Sequence, residues 1–279
     1  MKHVAPADAL HPHLSIRGVS KSYKEGALLS RRSHAALKNV SLELRPSDGR
    51  VLSIVGESGS GKTTLARIIL RLVTADAGNV SVGDQDILSD GRASVDDRTL
   101  RRLVQPIFQN PFETFSLQIQ PEEYLRRTAI NIGDEAARAD PKRAAEEALQ
   151  AVGMSYARVA GKGLRAFSGG ELQRISIARA LIAKPKLIVA DEPVSMVDAS
   201  LRMTIVNLFR DLADRFGVSF VYITHDLSTA YYLSDLMAIM KTGEVVEFGR
   251  PDAILNSPKA DYTRALMDAI PTLDRRWDI

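Results

Sequence analysis

VLSIVGESGSGKTTLARIILRLV, residues 51–73, begins as a short apolar run of buried-strand type and ends with apolar residues at helical spacing. The turn between them, Gly56-Glu57-Ser58-Gly59-Ser60-Gly61-Lys62-Thr63, matches G-x-x-x-x-G-K-[ST] at every fixed position. Each position has a chemical reason. Glycines let successive backbone N–H groups turn inward as an anion-binding nest, and the helix that follows, entered through Thr63 and Thr64, points its positive end at the same place. Lys62 has the reach to touch the β- and γ-phosphates of a nucleotide, and the Thr63 hydroxyl can ligate Mg²⁺. A glycine-rich turn that only caps a helix is the plainer alternative. A buried strand directly before it and an amphipathic helix directly after it favour the phosphate loop.

Working outward, LSIRGVSKSY (14–23) and ALKNVSLEL (36–44) alternate apolar and polar residues like half-exposed strands, joined by the polar loop KEGALLSRRSHA (24–35). Strand-type runs return in KLIVAD (186–191), VSFVYIT (218–224) and LMAIMKTGEVVEFG (236–249). Between the two groups, RTLRRLVQPIF (98–108), PEEYLRRTAINI (121–132) and PKRAAEEALQAVGM (141–154) carry helical spacing punctuated by Pro and Gly. The expected fold is α/β: a mostly parallel sheet covered on both faces, interrupted by a helical insertion around residues 107–168.

The 279-residue chain is 45% hydrophobic and 25% charged, enough to bury a substantial core in one or two domains. No apolar run approaches the roughly 18 residues of a membrane span. MKHVAPADALHPHL (1–14) lacks the apolar centre of a secretory signal. Without cysteine, disulfides, iron–sulfur ligation and thiol chemistry are excluded, in keeping with a reducing, cytoplasmic setting. The net charge of +3 is dispersed rather than gathered into a nucleic-acid-binding patch. His3, His11 and His13 have no Cys or acidic partner at ligand spacing, so residues 1–12 read as a solvated tail.

Two further stretches carry chemistry. LIVADEP places Asp191 and Glu192 at the carboxyl end of an apolar strand, the edge where open α/β sheets bind ligands. Asp191 is suited to hold Mg²⁺ and Glu192 to polarise an attacking water as general base. Alone, the pair could equally be a solvated strand end. Phe167-Ser168-Gly169-Gly170-Glu171 opens a helix. Ser168 and Glu171 form a capping box, but that leaves unexplained two glycines in the first turn, where glycine weakens a helix. Glycines there would expose N–H groups to a second, closely approaching phosphate.

FSGGELQRISIARAL (167–181) resembles the signature sequence of ATP-binding-cassette (ABC) ATPases, and the other family motifs follow in register over residues 14–271. The resemblance implies an ABC-type phosphate-loop core with an N-terminal antiparallel β subdomain and an inserted α-helical subdomain. It divides the chain into a tail (1–12), an ATPase domain (13–250) and a C-terminal extension (251–279). It also implies two cassettes closed head to tail around two ATP molecules, Ser168, Gly169 and Gly170 of one addressing the γ-phosphate held by the other. Tyr23 matches the aromatic that stacks on adenine. Gln109 matches the residue that senses Mg²⁺ and the attacking water and abuts the membrane partner. Asp198 matches the loop joining the two sites, and His225 the γ-phosphate contact. Catalysis would then involve Lys62, Gln109, Glu192 and His225, with Mg²⁺ held by Thr63, Gln109 and Asp191.

Val246-Glu-Phe-Gly-Arg-Pro and Asn256-Ser-Pro-Lys-Ala-Asp-Tyr-Thr-Arg-Ala-Leu266 resemble the C-terminal extension of oligopeptide/dipeptide importer ATPases. GALLSRRSHAALKNVSL and DEPVSMVDAS look like the second of the two ATPases that such importers pair. The implied partners are a related cassette, two transmembrane permease subunits and, indirectly, an extracytoplasmic solute-binding protein. The implied place is the cytoplasmic face of the cell membrane. Relatives in this subclass also carry oligosaccharides, glycosides or nickel. The segment Gln109-Asn-Pro-Phe-Glu-Thr-Phe-Ser-Leu departs from the subclass pattern. So does the end at Trp277-Asp-Ile, where a cysteine-containing tail is usual. A soluble ABC ATPase acting on ribosomes or DNA is a competing class, disfavoured by the lack of a second cassette or a coiled-coil insertion.

Overall fold

The computed structural model describes residues 11–25, 32–111, 115 and 118–268; most of the expected tail and the end of the extension lie outside these. In chain order come β1 (Leu14–Glu25), β2 (Arg32–Leu44), β3 (Val51–Val55), α1 (Lys62–Ile69), β4 (Ala77–Val82), β5 (Gln85–Ser89), β6 (Arg92–Ala93), α2 (Asp97–Leu103) and β7 (Val104–Ile107). The helices α3 (Pro121–Ile132), α4 (Glu135–Ala139), α5 (Pro141–Ala151), α6 (Tyr156–Val159) and α7 (Gly169–Ile182) follow. The chain then alternates again through β8 (Leu187–Asp191), α8 (Ala199–Phe216), β9 (Ser219–Thr224), α9 (Leu227–Leu233), β10 (Leu236–Lys241), β11 (Glu244–Gly249), α10 (Pro251–Asn256) and α11 (Asp261–Asp268).

Two sheets result. An antiparallel sheet runs β2-β1-β4-β5-β6, and a second runs β11-β10-β3-β9-β8-β7, parallel except for the edge strand β11. Every residue of β3 and β9 is buried, which is why these strands read as unbroken apolar runs. Leu14, Val40, Leu52, Ile54, Leu65 and Ile69 fill the space between the sheets. On the other side, Leu125, Leu149, Leu172, Ile175, Phe209 and Phe220 join the helical layer to the parallel sheet. Helix α7 is buried on nearly every side, polar Gln173 and Ser176 included, with α3 and α5 packed against it.

Several elements differ from the sequence reading, each for a physical reason. RTLRRLVQPIF is not one helix: it ends at Leu103, and Val104–Ile107 become an edge strand paired with β8. Leu100, Leu103, Val104 and Ile107 keep helical spacing, but Pro106 cannot donate inside a helix and is tolerated at a sheet edge. LMAIMKTGEVVEFG is a hairpin, its strands joined by Thr242 and Gly243, both at positive φ (46° and 84°), the geometry of a tight two-residue turn. The pairing of β1 with β2 continues to Glu25 and Arg32 through polar residues, so the connecting loop is shorter than its composition implied. β4–β6 were not read from the sequence at all; the antiparallel sheet draws on chain from both sides of the phosphate loop.

Asp235, between α9 and β10, ties this architecture together. Its carboxylate accepts from the backbone N–H groups of Arg50 and Val51 at 2.8 and 2.9 Å and pairs with Arg210 at 3.1 Å. Burial pushes its pKa up, but Arg210 and the two N–H groups outweigh it and hold the carboxyl below its ordinary value of 3.8. Asp235→Asn should cost about 1–3 kcal/mol of stability at neutral pH. Because the folded pKa is lowered, that contribution is complete above the ordinary carboxylate value and is lost as pH falls through the lowered one. Denaturant unfolding of both proteins across pH checks this: the gap should narrow below about pH 4.

Candidate active site

β3, β9, β8 and β7 are neighbours and parallel, so their carboxyl ends share one edge of the sheet. The residues singled out from the sequence leave from that edge: Gly56 directly after β3, His225 after β9, Glu192 after β8 and Gln109 just beyond β7. In open α/β sheets this is where ligands bind.

The phosphate loop is closely enclosed. Gly59 and Gly61 have φ of 80° and 103°, which only glycine adopts without strain. A Cβ at residue 61 would lie 2.6 Å from the carbonyl oxygen of Ala36, and one at residue 56 would overlap the carbonyl oxygen of Met240. The Gly243 N–H donates to the Ser60 carbonyl at 2.9 Å. Lys62 is buried, and its Nζ donates to the carbonyls of Gly56 and Glu57, both at 2.7 Å, and to Ser60 Oγ at 3.3 Å. Burial pushes the Lys62 ammonium pKa down, opposed by the carboxylates of Glu192, Asp191 and Glu57. That is an ammonium short of counter-charge, suited to an anionic ligand.

Thr63 Oγ1 donates to Asp191 Oδ1 at 3.4 Å. Burial raises the Asp191 pKa, with Thr63 the main opposing influence. Two hard oxygens this close fit Mg²⁺, which takes one or two protein oxygens and completes its shell with phosphates and water. Among the described residues no group of three or more His, Cys, Asp or Glu could cage a metal by itself. Glu192 sits at φ 48°, a strained conformation for a non-glycine residue. It is held there by its N–H on the Ile223 carbonyl at 2.9 Å and by Ser195 Oγ donating to its own carbonyl at 2.9 Å. Its carboxylate lies 3.3 Å from His225 Nδ1.

The remaining residues stand apart. Ser168 and Glu171 form the expected capping box at the start of α7. Arg158, which sequence reading missed, grips both Glu171 oxygens at 2.8 and 3.0 Å, donates to the Ala166 carbonyl at 3.0 Å and lies 5.0 Å from the centre of the Phe167 ring. Among the described residues no hydrogen bond joins Ser168, Gly169 or Gly170 to the phosphate loop of the same chain. Their near neighbours are Met196 and Leu201, on either side of the exposed Asp198. Gln109 is exposed, and the strand before it is held by Arg179 of α7, which donates to the Pro106 carbonyl at 2.8 Å. Tyr23 is exposed on the β1–β2 ribbon, with Lys21 Nζ 5.6 Å from its ring. Tyr262 stands in the Asn256–Leu266 stretch, but its hydroxyl contact with the Glu57 N–H has no local signal because the two residues are distant in the chain.

A phosphate loop with a buried lysine beside an acid pair, at the carboxyl edge of a parallel sheet, defines a phosphate-loop nucleotide-hydrolase site. Residues 37–195 match the family model described as ABC transporter. A peptide import ATP-binding protein of Brucella ovis is 37% identical over 263 residues, covering 94% of this chain and 80% of that protein. The oligopeptide transport ATP-binding protein OppD of Mycobacterium tuberculosis is 38% identical over 270 residues, which span 93% of this chain and 42% of the longer OppD. Among solved structures, the ATP-binding cassette MJ0796, in a dimeric post-hydrolysis state bound to ADP and Pi, superposes with a TM-score of 0.71. It is 27% identical, over 85% of this chain and 98% of that one. The chain belongs to the ABC transporter family and is an ATP-hydrolysing cassette.

Gly61→Ala tests the enclosure of the loop. Positive φ and the Ala36 carbonyl both oppose the added methyl, so ATP affinity should fall at least about tenfold, with a stability loss of about 1–3 kcal/mol. Titration with a fluorescent ATP analogue and thermal melting measure the two effects.

Proposed function

We propose that this chain is the motor subunit of a peptide importer, acting at the cytoplasmic face of the membrane as one of two cassettes beneath a pair of permease subunits. The observation that carries the hydrolytic part is the convergence of Lys62, Thr63–Asp191 and Glu192–His225 on one sheet edge. The cargo class is supported by the names of the relatives, a peptide import and an oligopeptide transport ATP-binding protein, and by the Asn256–Leu266 segment. No helix among the described residues is long and apolar enough to cross a membrane, which fits a subunit that borrows its membrane path from partners.

In this reading the loop's N–H groups and Lys62 bind the phosphates, and Tyr23 stacks on the base. Bound Mg²⁺, held by Thr63, Asp191 and Gln109, would neutralise charge on the transferring phosphoryl group. Glu192 takes the proton of the attacking water. His225, 3.3 Å away, orients that carboxylate and contacts the γ-phosphate. Gly169 and Gly170 present helix N–H groups without a partner among the described residues, the Ser168 N–H being taken by Glu171 at 2.9 Å, and this supports a second cassette's ATP as their ligand. Asp198, beside them, would relay between the two sites, and exposed Gln109 would meet the permease. A related, non-identical cassette is the proposed partner.

Glu192→Gln should lower kcat at least about a hundredfold while leaving ATP affinity within about threefold of wild type. It should also trap an ATP-bound dimer on size exclusion. ATP turnover near the wild-type rate would overturn the assignment of the base.

A further inference from the structure

One side chain from the last helices of the described chain reaches the phosphate loop. Tyr262, in the first turn of α11, is buried among Val55, Leu227, Met237, Ile239 and Ile254. Its hydroxyl oxygen accepts a hydrogen bond from the Glu57 N–H at 3.0 Å. That N–H and the Gly56 carbonyl belong to a single peptide unit, and Lys62 Nζ donates to the carbonyl at 2.7 Å. The unit is planar, so it is gripped at both ends: the catalytic ammonium on its oxygen, the phenol on its N–H. Rotating it would break one contact or the other.

The seat of the phenol is built from several directions. Lys241 Nζ lies 4.6 Å from the centre of the Tyr262 ring. Glu247 on β11 accepts the backbone N–H groups of Lys259 and Ala260 at 2.9 and 3.3 Å, pinning the turn from which α11 starts. β10 and the turn that joins it to β11 also supply Met240 and Gly243, which press on the loop. The ring and the loop are therefore located by the same hairpin. A phenylalanine would satisfy the apolar pocket equally well; what it would lack is the one oxygen that meets Glu57.

We propose that Tyr262 is a positioning residue for ATP binding: it orients the Gly56–Glu57 peptide and through it Lys62, so that nucleotide affinity depends on the docked C-terminal segment. This rests on nucleotide binding by the loop and is independent of which solute the transporter carries.

Tyr262→Phe removes the hydroxyl and keeps the packing. The ATP KM should rise about two- to tenfold, the size of one lost hydrogen bond, with kcat changed by less than about twofold. The melting temperature should stay within about 2 °C of wild type. An unchanged KM, or a fall in kcat and melting temperature at constant KM, would overturn the proposal, since packing alone gives those results. A second measurement does not depend on the variant's folding. Hydrogen exchange of the nucleotide-free wild-type protein should show the Glu57 amide protected, whereas exchange at the rate of an unstructured amide would refute the contact.

Discussion

The carbonyl oxygens of Ala36 on β2 and Met240 on β10 close on the phosphate loop so tightly that residues 61 and 56 must be glycine. Much else depends on that confinement. The two carbonyls come from different sheets, so the loop is pressed by the antiparallel and the parallel sheet at once. The Lys38 N–H reaches the Gly243 carbonyl at 2.8 Å and the Gly243 N–H reaches Ser60 at 2.9 Å, which ties the β2 strand, the β10–β11 turn and the loop into one unit. A loop held from outside keeps its inward N–H groups aimed before any nucleotide arrives, and preorganisation of this kind lowers the cost of binding. The ribbon that carries Tyr23 is paired through β1 and β2, so Tyr23 inherits the same anchorage.

The second constraint is the burial of the parallel strands. With β3 and β9 inaccessible along their whole length, polar chemistry is confined to the strand ends, and four neighbouring ends supply it. The acid pair illustrates the cost: burial disfavours the Asp191 carboxylate, and Glu192 is held at a positive φ. Groups poised against their own preferences are what a hydrolytic site uses. The start of α7 lies outside this convergence. It is braced by Arg158 on Glu171 and faces the Met196–Leu201 segment rather than its own loop, which is the arrangement expected of half a site.

Where local pattern and tertiary role agree, the sequence was readable. The strand–loop–helix unit at 51–73 and α3 at 121–132 show their period directly, and the Ser168–Glu171 capping box is local by nature. β7 was misread because Leu100, Leu103, Val104 and Ile107 fit a helical face, and only the pairing with β8 settles the matter. β4–β6 are short and largely polar, their identity coming from neighbours rather than from composition. Two contacts escape the sequence for a different reason. Tyr262 and Glu57 are 205 positions apart, which no window of sequence contains, while Arg158 and Glu171 are 13 apart but in separate helices, so no single period links them.

One chain should bind ATP by itself, with efficient hydrolysis arising only in a pair of cassettes whose helix N-termini, Ser168–Gly170 in this chain, complete each other's sites. Ser168→Arg separates the two steps, with ATP affinity measured on the isolated chain and turnover on the assembled pair. The expected result is an unchanged dissociation constant for the isolated chain and a severalfold loss of turnover in the pair. Loss of ATP binding by the isolated chain, or undiminished turnover by the pair, would rule out a shared site.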